Sequence, residues 1–477
     1  MQEHEPLTEA ALLSALHTPA DLTVRHLTVG GNPVVLFFLD SLTSGEDIAL
    51  HVLRPLALLP HGEERAVLTA CLDGTVWNAA CTLCRTVEDS SFALLHGSCL
   101  LLLPSCGLAA AFETKSRDRR SPSPPDTEST VKGAKDAFTE TLRVNLGLLR
   151  RHLRHDSLCL RQLTVGERSH TAVCIVSLAD LTDPRLVQAV ETRLRALKIE
   201  GMLTPAAVEE YLTGSRATAF PLIQFTERPD RFAQSVLDGQ VGVFVDGLPL
   251  GYLLPVNVGI LMTAAEDRGN GYALATAVRV LRYLALLISL LLPALYIAMA
   301  QFHPAMIPTK LLSAIIESKQ NVPFSTTAEV LCLLVAFELL QEAGLHLPKA
   351  VGHTVSIVGG LVVGSAAVDA RIISPTALIA VSVAGICGFA VPEQDFSAAI
   401  RIWRFVLGVC AALAGLYGMT MGALVLLVHL GTLDSCGKPY LAPFSAVMTG
   451  GALVRRRLAY RTRRDPLLRP RDTETQR

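Results

Sequence analysis

The chain has 477 residues, 50% of them hydrophobic and only 18% charged, and its 42 Lys and Arg nearly balance 43 Asp and Glu. A mean hydropathy of +0.41 exceeds that of an ordinary soluble domain and predicts that part of the chain lives in lipid. The near-neutral balance excludes a nucleic-acid binder that works through a bulk positive field.

The N-terminus, Met1-Gln-Glu-His-Glu-Pro-Leu7, has neither a basic segment nor an apolar run, so no signal peptide is expected and the first half is placed in the cytoplasm. An internal repeat follows: Val24-Arg-His-Leu-Thr-Val-Gly30 returns as Leu160-Arg-Gln-Leu-Thr-Val-Gly166. In each copy an apolar run comes next, Val34 to Leu39 and Ala172 to Leu178, then a helix, Ile48 to Leu58 and Pro184 to Leu197. Leu94-Leu-His-Gly97 before a strand at Cys99 to Leu103 matches Val236-Leu-Asp-Gly239 before a strand at Val241 to Val245. Two tandem, related α/β subdomains account for this.

The eleven cysteines form no regular framework, which points to reduced thiols. Cys81-Thr-Leu-Cys84 has the spacing of a metal or redox pair, but no second such pair follows, and burial in an apolar hairpin is the better reading. Glu113 to Pro125 is charged and proline-rich and reads as a linker. Beyond it Phe138, Leu142, Leu146, Leu149 and Leu153 recur at helical spacing, and the other face carries Arg143, Arg150, Arg151 and Arg154. A solvated face is the default for these arginines; lipid headgroups or a neighbouring subunit are the alternative.

From about residue 280 the composition turns apolar, in segments near Val280 to Ala300, Thr327 to Leu340, Val351 to Val368, Thr376 to Val391 and Ile402 to Leu430. The first and last are long enough to cross a bilayer. The middle three are rich in small residues and suit helices that face protein. Arg279, Arg282 and the Arg455-Arg-Arg457 tail place both ends of this region in the cytoplasm, which needs an even number of crossings, so Thr327 to Leu340 is expected to be re-entrant or interfacial. The layout is a first cytoplasmic subdomain over 1–112, a linker over 113–130, a linking helix with a second subdomain over 131–270, an all-α multi-span membrane domain over 278–450, and a basic tail over 451–477.

No phosphate-binding loop, dinucleotide motif, zinc-protease motif or nucleophile elbow is present, so an enzyme is not expected, nor a cofactor. Glu338 and Glu342 share one helix face, and a charge at the bilayer centre costs about 2.5 to 3.5 kcal/mol, so they should not face lipid. Either they pair with His346, Lys349 or a serine, or they line a hydrated cation path. Gly352, Ser356, Gly360 and Gly364 put a small residue at every fourth position. That face packs against a neighbouring helix, or it surrounds an oligomer axis with Val358, Leu361 and Val362 narrowing a pore. Gly418 and Gly422 form a second pair of this kind, for packing, and Pro304 to Pro308 predicts an ordered turn.

Several separated stretches resemble the GerA-type spore germination proteins, the A subunits of germinant receptors. They are Pro125-Asp126-Thr-Glu128-Ser with Gly133, Phe138-Thr-Glu140-Thr-Leu-Arg143 with Asn145, and Thr226-Glu227-Arg228-Pro229-Asp230-Arg231. Leu292-Pro-Ala-Leu-Tyr-Ile-Ala298 running into His303-Pro304, Glu338 to Gly344 with Leu347-Pro348, and Ser356-Ile-Val-Gly359 complete the pattern. Lys135 and His346 stand where the family often has proline and arginine. The resemblance implies an A subunit in the spore inner membrane, acting with a multi-pass B subunit and a lipoprotein C subunit. It also implies a homo-oligomeric, pentameric, ligand-gated channel that releases monovalent cations and triggers germination. A non-conducting scaffold of the receptor cluster, and a relative of the stage V sporulation protein AF type, are the alternatives.

Overall fold

The computed structural model describes residues 7–78, 80–116, 125, 128, 133–202, 204–213, 218–346, 364–442 and 444. The chain divides into two compact units, one holding the sheets and the other running from Val256 with residues 218–222 added.

In the first unit, α1 (Glu9–Ala15) starts at Thr8, whose hydroxyl accepts from Ala11 N. β1 (Leu22–Val29) and β2 (Asn32–Leu39) are joined through Gly30 and Gly31, whose φ of +56° and +86° are left-handed values that a two-residue hairpin turn demands. Then come α2 over 45–57, π-wound across Ile48–Leu53, α3 (Glu64–Leu72), β3 (Cys81–Cys84), α4 (Val87–Leu95), β4 (Ser98–Leu103) and β5 (Leu108–Glu113). The sheet is antiparallel, in the order β1-β2-β4-β5-β3. Alternation sorts its side chains: Val34 and Leu36 pack with α2 and α3, whereas Val35, Phe37 and Leu39 pack with α1 and α4. Each fully buried leucine or phenylalanine contributes about 1.5–3 kcal/mol.

The second sheet repeats this plan. After α5 (Leu142–His152) follow β6 (Leu158–Val165), β7 (Thr171–Leu178), α6 (Pro184–Ala196), α7 (Pro205–Thr213), β8 (Gln224–Thr226), α8 (Pro229–Leu237), β9 (Val241–Val245) and β10 (Gly251–Leu254). The order β6-β7-β9-β10-β8 is that of the first sheet, strand for strand. The repeated heptapeptides occupy corresponding places, β1 with its turn and β6 with its turn. On one face Leu160, Cys174 and Val176 pack against α5 and α8, and α6 packs against β6 and β7.

The helix expected from Phe138 begins at Leu142, because Phe138 is occupied otherwise: its N–H donates to the Glu227 carbonyl and its ring meets Phe232 and Phe244 edge-on. The solvated reading of the basic face fails at Arg150, whose side chain is 2% exposed and grips Asp21 of the first sheet's leading loop. Arg143 likewise donates to the Asp40 and Thr43 carbonyls.

The second unit is helical. Phe220, Leu222, Val256, Leu261 and Met262 join the core made by the long helices. α9 (Val258–Leu261) is followed by α10 (Tyr272–Phe302), whose Arg282 and Arg279 reach Asp267 at 2.6 and 3.5 Å. A 3₁₀ turn, Pro304–Met306, forms the expected bend, and α11 (Thr309–Lys319), α12 (Thr326–His346), helical residues 364–369, α13 (Pro375–Gly388) and α14 (Gln394–Thr432) complete the unit.

α10 and α14 are long and apolar enough to cross a membrane by length and composition. α14, however, is not one rod. Ala414 and Gly415 leave the helical region, Gly415 at φ +60° and ψ −138°, and the chain turns back on itself. A Cβ on Gly422 would lie 2.8 Å from the Leu407 side chain and 3.3 Å from Cys410 Sγ, and one on Gly418 would collide with the Cys410 carbonyl. Only a hairpin brings positions 15 and 8 residues apart together. Its legs, 394–413 and 416–432, are about 30 and 26 Å long.

Candidate functional site

The motif residues of the sheet unit meet at one place. Glu128 accepts from Thr226 Oγ1 and from Arg231 Nη1, both at 2.8 Å. Arg228, 2% exposed, forms a two-pronged pair with Asp230, Nε to Oδ1 at 2.9 Å and Nη2 to Oδ2 at 2.6 Å. Pro229 stands in the first turn of α8, where its missing N–H costs nothing, and Asp230 places its charge at the helix's positive end. Asn145 ties down the preceding loop: its Oδ1 accepts from Thr139 N at 2.7 Å and its Nδ2 donates to Thr139 O at 2.6 Å. Asp246 Oδ1 caps α5 at Leu142 N, 2.9 Å away, while the Glu140 carbonyl accepts from Gly247 N and the Glu227 carbonyl from Phe138 N.

Thus Glu128, Glu140, Asn145, Glu227, Arg228, Pro229 and Asp230 join the chain before α5 to the start of α8. Asp126 lies outside the described residues. Phe232 stacks on Phe244 with centroids 4.4 Å apart, directly over Gly251, where a Cβ would come within 2.5 Å of the Phe232 ring. The arrangement holds two segments together; it presents paired carboxylates and guanidinium groups rather than a nucleophile with its base.

The cysteine pair is settled by strand geometry. Cys81 and Cys84 are three residues apart on β3, so their side chains leave opposite faces of the sheet and cannot grip one ion. Burial pushes the Cys81 thiol up to about 11, the Cys71 thiol up to about 12, and Cys84 upward.

In the helical unit, the structure places only part of the expected gate. Gly352, Ser356, Val358, Gly360, Leu361 and Val362 lie outside the described residues. Gly364 is buried, and a Cβ there would touch Leu378 of α13 at 3.5 Å, ordinary packing distance. Glu338 has a partner on the first leg of α14, Arg401, 3.0 Å away; the His346 side chain and Lys349 lie outside the described residues. Glu342 is exposed on the same helix.

The most enclosed of the three glutamates on α12 is Glu329. Glu329, 1% exposed, accepts from the Ser374 backbone N–H at 3.0 Å and from Ser374 Oγ at 2.5 Å, and Lys319 Nζ sits 3.3 Å from its other oxygen. Nearby, Tyr296 OH and Ser318 Oγ both reach Thr376 Oγ1. Four helices, α10 to α13, meet at this polar node. Its signal in the sequence was only that a glutamate stands in an apolar segment, which does not name a partner 45 residues on.

A family model described as the Bacillus/Clostridium GerA spore germination protein matches residues 10–467. The Bacillus subtilis (strain 168) protein named uncharacterized membrane protein YfkQ is 32% identical, over 89% of this chain and 83% of its own. The Bacillus cereus spore germination protein GerLA is 32% identical, over 90% of this chain and 88% of its own. Among solved structures, the N-terminal domain of the A subunit of the Bacillus megaterium spore germinant receptor GerK3 aligns at a TM-score of 0.42 and 21% identity, covering 52% of this chain and 95% of that one.

Proposed function

The chain belongs to the GerA spore germination protein family, and from that premise we propose that it is the A subunit of a germinant receptor. The observation that carries this is the family match, which runs through both units rather than one domain of a composite protein. The role is non-enzymatic: the chain holds a closed and an open state, and binding elsewhere shifts their balance.

In this reading the two sheets are a duplicated cytoplasmic subdomain, and the helical unit lies in the spore inner membrane. The hairpin in α14 supports a simple topology. When its legs are counted separately, the apolar segments become even in number, so both basic ends fall on one side without a re-entrant segment. Copies of the chain, five in the family's arrangement, surround a cation path narrowed by Val358, Leu361 and Val362, with a B subunit and a lipoprotein C subunit beside them. A scaffold without conduction, or a relative of the stage V AF type, would share the same fold.

The test is genetic and physiological. Spores lacking this chain should lose the fall in optical density that follows a mixture of amino acids, sugars and nucleosides, and a restored copy should return it. Normal germination of the deletion strain, with defects only earlier in spore formation, would favour the stage V type of role.

A further inference from the structure

Arg401 Nε lies 3.0 Å from Glu338 Oε1, an ion pair by distance but without hydrogen-bond geometry, and the carboxylate is more than half exposed. Three residues along the same leg, Arg404 is 6% exposed and its Nε is buried without a hydrogen-bond partner. Around it lie Gly388, where a Cβ would sit 3.5 Å from Arg404 Nη2, and Ser289, whose Oγ lies 3.2 Å from that same point and is also without a partner. Arg404 stands one helical turn from Arg401, on the same side of the leg as the Glu338 contact. A buried guanidinium without an anion is unfavourable. One carboxylate therefore has two cationic stations, three residues apart and neighbours on a single helix face.

The packing fixes the direction of exchange. Gly408 faces Leu331 and Leu334, and Arg401 faces Glu338, so α12 and the first leg of α14 run antiparallel. Arg404 is then level with the turn that precedes Glu338. α12 is held to α13 by the Glu329–Ser374 bonds and to α11 by Lys319, whereas the first leg of α14, packed on the apolar core, has fewer polar ties among the described residues: besides Glu338, Ser397 Oγ donates to the Gly388 carbonyl at 3.2 Å.

We infer that this pair is a two-position latch: the first leg of α14 slides three residues toward its own N-terminus, about 4.5 Å, and Glu338 passes from Arg401 to Arg404. Steps of this size between packed helices, with two discrete arrangements of side chains, are an established kind of switching transition. The slide moves the whole α14 hairpin, because Gly418 and Gly422 seat its second leg directly on the first. As a control on cation conduction the latch rests on the channel reading above; as a structural device it does not.

Disulfide trapping in the full-length, detergent-purified chain separates the two, with the other cysteines replaced by serine or alanine. Leu331→Cys with Gly408→Cys reports the present register, and Leu331→Cys with Ala411→Cys the shifted one. Arg401→Gln should lower the first cross-link and raise the second by about threefold, the scale of a partly exposed ion pair. Arg404→Gln should do the opposite, while Arg404→Lys should match the parent, which separates loss of charge from loss of packing. Both glutamine variants moving the yields in the same direction, or neither moving them, overturns the latch. Potassium flux from liposomes is measured on the same proteins. Reciprocal trapping without flux in any variant keeps the latch and removes the channel reading; flux without reciprocal trapping does the reverse.

Discussion

Replacing Arg150 with methionine removes the buried link between the two sheets' subdomains. Arg150 donates to Asp21 through Nε and Nη2, both at 2.7 Å, and Ser41 Oγ adds a third donor at 2.5 Å. The two side chains are 2% and 5% exposed, so water cannot replace the guanidinium once it is gone. Asp21 would keep one donor of three, and breaking a buried pair from one side costs about 3–5 kcal/mol. At about 2–4 °C per kcal/mol for a region of this size, the melting temperature of the sheet unit should fall by about 10 °C. Asp21→Leu in the Arg150→Met background should recover much of the loss, because no stranded charge remains. The assay is a double-mutant cycle on the full-length chain in detergent, followed by the fluorescence of Trp77 with Trp403 replaced by phenylalanine. A single-variant loss below about 1 kcal/mol, the value of an exposed pair, or a double variant as unstable as the sum of the singles, refutes the reasoning.

Gly418→Leu should force the legs of the α14 hairpin apart, since any side chain there meets the Cys410 carbonyl; limited proteolysis near residue 414 should speed up, whereas Gly431→Leu, with open space around it, should not change the digest. Native alkylation with iodoacetamide at neutral pH should leave Cys71, Cys99 and Cys174 unmodified, because burial raises all three thiols, Cys71 and Cys174 up to about 12; labelling at the rate of a free thiol contradicts this. The His152 side chain, bonded to Asp136 at 3.2 Å, holds that carboxyl below its ordinary value. A lowered carboxylate pKa gives stability that is present above about pH 3.9 and lost as pH falls through the folded value. The difference in melting temperature between the parent and Asp136→Asn should accordingly be present at pH 6 and shrink below pH 4; a difference that grows on acidification would reverse the sign.

Much of the sheet unit was legible because the sequence carries the same local pattern twice. The heptapeptides ending at Gly30 and Gly166 mark equivalent hairpins, and the apolar runs along β2 and β7 could be read in both copies. Pairings between distant residues were not legible. Arg150 and Asp21 are 129 positions apart, and helical periodicity only showed that Arg150 lies off the leucine stripe, not that another subdomain covers it. The same limit applied to Glu338, whose partner Arg401 stands on a later helix that nothing in the local pattern pointed to. The α14 hairpin was hidden for a different reason. Hydropathy sees an unbroken apolar run, and the turn at Ala414 and Gly415 uses no proline or charge. Gly418 and Gly422 were read as packing residues, and their partner proved to be the preceding stretch of their own segment. Phe138 fitted the helical spacing yet lies before the helix, because edge-on packing with Phe232 and Phe244 outweighed periodicity.

The most direct measurement is potassium efflux from liposomes holding the purified, oligomeric chain, compared with Val362→Ala and a sample heated past its melting point. The account predicts slow efflux for the parent, faster efflux when the valine is trimmed, and none after denaturation. A folded, oligomeric protein that passes no potassium in either form would contradict conduction by this subunit alone and leave the scaffold in its place.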